Sequence, residues 1–214
     1  MTHGFDKDYW ERHWRQGRAG GSGSMAGNPP NPYLARETGG LAPGTALDAG
    51  CGSGAEAIWL ASHGWHVTAA DISSEALARA AGRAATSGAG ERLRWVEADL
   101  GAWTPDVRFD LVMTHYAHPA MPQLEFYDRV AAWVAPGGTL LIVGHLHTPD
   151  PAGHGHGNGH HPPAEASATP AAITARLDST EWEIVTAEEH LRTLTGPEGR
   201  PVPLRDVVVR ATRR

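Results

Sequence analysis

Ala46-Leu47-Asp48-Ala49-Gly50-Cys51-Gly52-Ser53-Gly54 is the stretch on which the reading of this chain turns. An apolar run meets an acid, glycine then recurs at every second position, and Ala55 to Ala61 continue with helical spacing. The pattern predicts a strand, a tight glycine turn and a helix. Glycine has no Cβ and tolerates φ > 0, so a ligand can approach such a turn down to the bare backbone. The helix start adds N–H groups that have no intrahelical partner. The stretch reads as a cofactor cradle, with an ordinary glycine turn as the plainer alternative.

Glycine spacing leaves the cofactor open. Gly50-x-Gly52-x-x-Ala55 satisfies the dinucleotide fingerprint G-x-G-x-x-G/A. Gly50-x-Gly52-x-Gly54 equally satisfies the glycine pattern of S-adenosylmethionine enzymes. The surrounding acids discriminate. Asp48 stands two residues before the first glycine, where a pyrophosphate has no use for a negative charge but an ammonium and a sulfonium do. Trp65 to Ala70 reads as a second strand ending in Asp71, ~20 residues after the glycines, where a doubly wound sheet places an acid on ribose hydroxyls. Leu93 to Ala98 reads as a third strand, ending in Asp99. Three successive strands thus end in acids, at the edge of an α/β sheet where ligands bind.

From about Pro32 to the C-terminus the chain resembles the class I S-adenosylmethionine-dependent methyltransferases. The resemblance rests on Leu47 to Gly54, Val67 to Asp71 and Glu97 to Leu100. Phe109 to Val112 and Val134 to Leu141 follow in the family's order. It implies a Rossmann-like, doubly wound, mostly parallel α/β sheet with helices on both faces, and S-adenosylmethionine as cofactor. It puts Asp48, Gly50, Cys51, Gly52 and Gly54 around the methionine moiety. Asp71, with Ile72 beside it, falls at the ribose. Asp99 falls at the adenine amino group and Leu100 beside the ring.

Composition agrees with a soluble α/β domain: 214 residues can bury a full core. No apolar run approaches the ~20 residues of a membrane span. The N-terminus is polar, so no secretory signal is visible. Cys51 is the only cysteine, which excludes an internal disulfide and fits a reducing, cytoplasmic home. Lys7 is the only lysine among many arginines, which through codon usage points to a GC-rich bacterial genome. The net charge of −6 argues against a nucleic-acid substrate. Arg12, Arg15 and Arg18, mixed with Asp6, Asp8 and Glu11, read as a solvated helix face. Asn28-Pro29-Pro30-Asn31 resembles the Asn-Pro-Pro-aromatic motif of amino-methylating DNA enzymes, but Asn31 stands where the aromatic should be. Asn28 to Pro32 therefore reads as a turn and helix entry.

Two units are expected. Residues 1–28 hold a helix, Asp8 to Gln16, and a Gly/Ser-rich linker. Residues 29–214 form one domain in which strands and helices alternate up to a strand at Thr139 to Val143. Pro136-Gly137-Gly138 is expected to end the preceding helix. Trp182 to Ala187 and Leu204 to Val209 are expected as strands of a C-terminal antiparallel hairpin. The sequence leaves the oligomeric state open.

Methyl transfer from a sulfonium needs a nucleophile held in line, and a base only when the acceptor must lose a proton. His115, Tyr116, His118 and His145 follow strands four and five and are the candidate catalytic residues. Trp10 and Trp14 are four apart on one helix face. Their segment resembles the N-terminal arm of thiopurine- and tellurite-resistance-type methyltransferases, which covers cofactor and a small acceptor. Plain core packing explains them equally well. The stretch 145–169 carries six histidines among glycines and prolines and reads as a flexible lid rather than a metal site. Two other readings stay open: a nicotinamide-dependent oxidoreductase, and a His-rich metal-binding protein on a cofactor fold.

Overall fold

A computed structural model describes residues 5–16, 29–146, 167–195 and 201–214. The linker expected at 17–28, most of the His-rich stretch including His147, and the hairpin connection at 196–200 lie outside the described residues. The elements run α1 (Lys7–Gln16), α2 (Pro32–Thr38), β1 (Thr45–Ala49), α3 (Ala55–Ser62), β2 (His66–Asp71), α4 (Ser74–Ala84), β3 (Leu93–Glu97), β4 (Phe109–His115), α5 (Gln123–Ala132), β5 (Val134–His145), α6 (Pro170–Thr174), β6 (Trp182–Thr195) and β7 (Pro201–Arg213). A short 3-10 turn at Gly90–Arg92 leads into β3.

The seven strands form one sheet in the order β3-β2-β1-β4-β5-β7-β6. The first five are mutually parallel. β7 inserts antiparallel between β5 and β6. The order reverses between β1 and β4, the switch point at whose carboxyl ends open α/β sheets bind ligands. β1 is buried along Ala46 to Ala49, as a central parallel strand covered on both faces must be.

The core divides across the sheet. On one face Leu47, Val112, Leu140, Ile142, Val207 and Val209 pack under Phe126, Tyr127 and Val130 of α5 and Ile173 of α6. On the other, Ala46, Leu111, Met113, Leu141, Val143 and Val208 pack under Tyr33 and Leu34 of α2 and Leu60 of α3. The alternation along each strand is the period-2 geometry of the pleat.

Two boundaries differ from expectation. α5 ends at Ala132 with Trp133 as its cap, and Pro136-Gly137-Gly138 lie inside β5. The ladder pairs Phe109 with Val134 and then Leu111 with Thr139, so the Pro-Gly-Gly segment bulges out of register, with Gly137 at φ 77°. The hairpin strands are also far longer than their apolar stretches, because β6 is polar beyond Ala187 and its ladder with β7 holds it.

α1 docks on α4. Trp14 is buried, and its backbone carbonyl accepts from the Arg79 guanidinium, which also lies over the indole. Glu11 is buried rather than solvated: it accepts from the Ser74 N–H at 2.8 Å and the Ser74 hydroxyl at 2.9 Å. Its carboxylate thus sits at the first turn of α4, where the helix dipole favours negative charge. Burial pushes the Glu11 carboxyl up, but the Ser74 and Glu75 hydrogen bonds and Arg15 outweigh that and hold it below its usual range.

Candidate active site

The glycine turn is built by backbone conformation and held by its neighbours. Gly50, Gly52 and Gly54 have φ of 86°, 51° and 77°, the left-handed region that side chains resist. A Cβ on Gly50 would lie 2.3 Å from the Ala117 Cβ, and one on Gly54 would lie 2.7 Å from the Trp95 ring. The N–H groups of Gly50 and Cys51 bond the Ala70 carbonyl at 2.8 and 3.0 Å. Arg83 reaches the Ser53 hydroxyl at 2.9 Å. Cys51 is buried, which together with nearby Asp71 and Asp48 pushes its thiol up.

The strand-end acids differ in what they touch. Asp71, the last residue of β2, accepts from Gly52 N–H at 2.8 Å and Ser73 N–H at 2.9 Å, clasping the turn to the next helix. Burial still leaves its carboxyl raised. Asp48 is buried and its Oδ2 has no partner among the described residues. Burial, then Glu56 and Asp71, drive its carboxyl well above the usual range against a hydrogen bond from Ala57 N–H. Asp99 lies two residues past β3, is exposed, and accepts from Gly101 N–H at 2.9 Å. Leu100 is buried beside Gly50 and Ile72 is half-buried after Asp71.

Trp14 packs against this turn, its ring 3.0 Å from where a Gly52 Cβ would stand. One helical turn earlier, Trp10 donates its indole N–H to the His118 carbonyl at 3.2 Å. α1 therefore bridges the glycine turn and the rim beyond β4.

That rim brings together three of the four residues singled out as catalytic candidates. Tyr116 stacks on His145 with centroids 4.1 Å apart, and His118 lies 6.1 Å from His145. His118 Nδ1 meets Gln123 Oε1 at 3.2 Å. His115 stands apart: both its ring nitrogens are enclosed and unpartnered among the described residues, and the charge acting on it is Glu56 of α3. Burial lowers all three imidazoles, His145 to about 3 with help from His118 and Arg192, so each is neutral at neutral pH.

Tyr116 has φ 56°, a conformation that costs a bulky residue energy. A network holds it there. Its hydroxyl donates to Asp206 Oδ1 at 2.9 Å and accepts from Arg192 Nη2 at 2.8 Å and Asn31 Nδ2 at 3.2 Å. Asp206 is fully buried and also accepts from the Tyr33 hydroxyl at 3.0 Å and from Arg192 Nε. His145 Nδ1 lies 3.9 Å from it. With one donor and two acceptor sites used, the Tyr116 hydroxyl has nothing left to offer an acceptor, and its ring face is what it presents.

Sequence reasoning missed Asp206, Arg192, Asn31 and Tyr33. One signal existed: Asp206 is an acid opening the apolar run Val207 to Val209. Because β7 is antiparallel, its ladder with β5 starts at the end of β5, Asp206 facing His145. Asn31 is the cap of α2, accepting from Tyr33 N–H at 3.0 Å, as the helix-entry reading expected.

Known proteins resemble this chain in sequence and fold. Residues 46–138 match the family described as a methyltransferase domain. A probable thiol methyltransferase 2 of Arabidopsis thaliana is 31% identical over 140 residues, covering 63% of this chain and 60% of that protein. TehB from Haemophilus influenzae has a similar structure, with a TM-score of 0.70 and 16% identity over 90% of this chain and 65% of that one. The N-methyltransferase NodS from Bradyrhizobium japonicum WM9, solved with S-adenosyl-L-homocysteine, gives 0.67 and 18% over 95% and 97%. Identities this low speak for the fold alone. The chain spans about half the length of the curated relatives it matches. Residues 46–138 thus carry a methyltransferase domain, and the strand order around them is that of a class I S-adenosylmethionine-dependent methyltransferase fold.

Proposed function

We propose that this protein transfers a methyl group from S-adenosylmethionine to an oxygen, nitrogen or sulfur nucleophile on a small molecule. The observation that carries the reading is the acid-flanked glycine turn. Three left-handed glycines shape the tight turn that follows Asp48, whose Oδ2 is buried and has no partner among the described residues. A buried carboxylate without a counter-charge is costly, and a ligand ammonium removes the cost. The antiparallel β7 also departs from the strand order of a dinucleotide-binding sheet.

In this reading Asp48, Gly50, Cys51, Gly52 and Gly54 hold the methionine end. Asp71, at the end of β2, takes the ribose hydroxyls, with Ile72 beside it. Asp99 and Leu100 take the adenine. The cofactor supplies an activated methyl group on a sulfonium. The protein's task is to hold the acceptor in line and exclude water. Tyr116 and His118 form the acceptor wall, and His145 offers a neutral imidazole if a proton must leave. His115, enclosed near Glu56, belongs to the cofactor side of that wall. Residues 1–28 act as a cover through Trp10 and Trp14, and residues 29–214 are the catalytic domain. The net charge of −6 favours a small molecule over nucleic acid. Among the described residues no helix is long and apolar enough to cross a membrane, and a cytoplasmic home fits.

Calorimetric titration tests the reading. S-adenosylhomocysteine should bind one to one and NAD should not. Tight NAD binding without response to S-adenosylhomocysteine would sink it.

A further inference from the structure

Among the described residues, Arg192 is the one cation hydrogen-bonded to Asp206 and Tyr116 in the rim network. Its side chain is 27% exposed, while its partner Asp206 is wholly buried. Nε bonds Asp206 and Nη2 bonds the Tyr116 hydroxyl, so two of its three nitrogens are fixed. Nη1 has no hydrogen-bond partner among the described residues. The guanidinium also lies 5.9 Å from the Tyr116 ring centroid, and its charge acts on His145, which stacks on that ring.

A guanidinium fixed along one edge keeps a second edge ready for an acceptor group, because its five N–H donors lie in a rigid plane. The charges around it define what that group is. Asp206 is already consumed by Arg192, Tyr33 and Tyr116. The imidazoles of His118 and His145 are neutral. Resting on the function proposed above, the donor adds a sulfonium on the other side of the acceptor. An ammonium placed there could not accept from the remaining guanidinium N–H groups and would face the sulfonium, whereas an anion accepts from the first and is attracted by the second.

We infer that Arg192 is a specificity-determining residue that seats the acceptor through an anionic group, carboxylate-like in its geometry. Asp206, Tyr116 and Tyr33 are positioning residues that hold the guanidinium in place. β6 carries Arg192 to the rim only because β7 reverses direction beside β5, so the C-terminal hairpin is part of the site.

The test uses the full chain saturated with S-adenosylhomocysteine and titrated with benzoate or benzamide, probes of one shape and different charge, followed by saturation-transfer NMR. Benzoate should bind at least tenfold tighter than benzamide. Arg192→Gln should abolish that preference, and Arg192→Lys, which keeps the charge but loses the fork, should weaken benzoate at least threefold. In both variants benzamide and S-adenosylhomocysteine affinities should stay within twofold of the parent. Should Arg192→Gln not fold, the wild-type pair of titrations and Arg192→Lys decide alone. Equal affinity for the two probes, no binding of benzoate, or benzoate binding indifferent to either substitution overturns the inference. Failure to bind S-adenosylhomocysteine at the outset overturns the proposed function instead, so the two failures are distinct.

Discussion

Asp48 and Asp206 are both buried carboxylates at the ligand end of the sheet, and they are treated in opposite ways. Asp206 is saturated: two tyrosine hydroxyls and an arginine satisfy both oxygens. Asp48 keeps an oxygen with no partner, in the company of Glu56 and Asp71, which repel it. The first arrangement is self-sufficient and rigid. The second lacks a partner in the free protein, and in the function proposed above a ligand cation supplies it. The difference separates a framework that positions groups from a site that waits for a ligand.

The largest expected effect breaks the framework. Asp206→Ala leaves Arg192 partly buried without its counter-charge and releases Tyr116 from its unfavourable backbone conformation. It should cost about 3–5 kcal/mol of stability, read from urea unfolding. A loss under about 1 kcal/mol would mean that the network is ornamental.

Acid should act next. Burial holds the His115, His118 and His145 rings below the ordinary 6.5, so the folded protein binds fewer protons than the unfolded chain below that pH. The stability from neutral rings is complete above pH 6.5 and is lost as pH falls toward the folded values, near 3 for His145. Between pH 7.5 and 5 unfolding free energy should fall by on the order of 2 kcal/mol. His145→Gln should flatten part of that slope; an unchanged slope would show that His145 is not the group responsible.

Asp71→Ala tests the ligand side. Loss of hydrogen bonds to a charged acceptor should weaken S-adenosylhomocysteine by about 1.5–3 kcal/mol in calorimetry. Affinity equal to the parent would remove Asp71 from the cofactor site.

The smallest effect is the sharpest contrast with Asp206. The folded pKa of Asp48 is raised, so the stability it contributes is present below its ordinary 3.8 and is lost as pH rises through the folded value. At neutral pH its charge is a cost. Asp48→Asn should therefore stabilise the ligand-free protein by about 1 kcal/mol at pH 7.5, less at pH 4, while weakening S-adenosylhomocysteine. Destabilisation at both pH values would erase the distinction between the two acids.

Much of this is legible in the sequence. β1, β4 and α2 fall where apolar runs and the Asn31-Pro32 entry put them, because central strands buried on both faces leave an unmistakable pattern. β6 did not: Glu188, Glu189, His190 and Arg192 carry no apolar period, and their strand exists by pairing with β7. Pro136-Gly137-Gly138 looked like a helix stop and is a bulge, since the same residues serve both and the ladder with β4 chose. At the site, Glu11 gave no sign among its charged neighbours that it is buried against Ser74 of α4.

The sequence by itself determined the glycine turn, its flanking acids and hence the methyltransferase domain of residues 46–138. Those features are local: glycine's freedom at φ > 0 and an acid at a strand end act within a few residues. Tertiary structure alone decided which acid is satisfied and which is not. Tyr33, Tyr116, Arg192 and Asp206 come from α2, the loop after β4, β6 and β7, and meet only once an antiparallel strand turns its first residues toward the ligand end. Hydrogen-bond saturation is a property of that meeting, and no spacing along the chain encodes it.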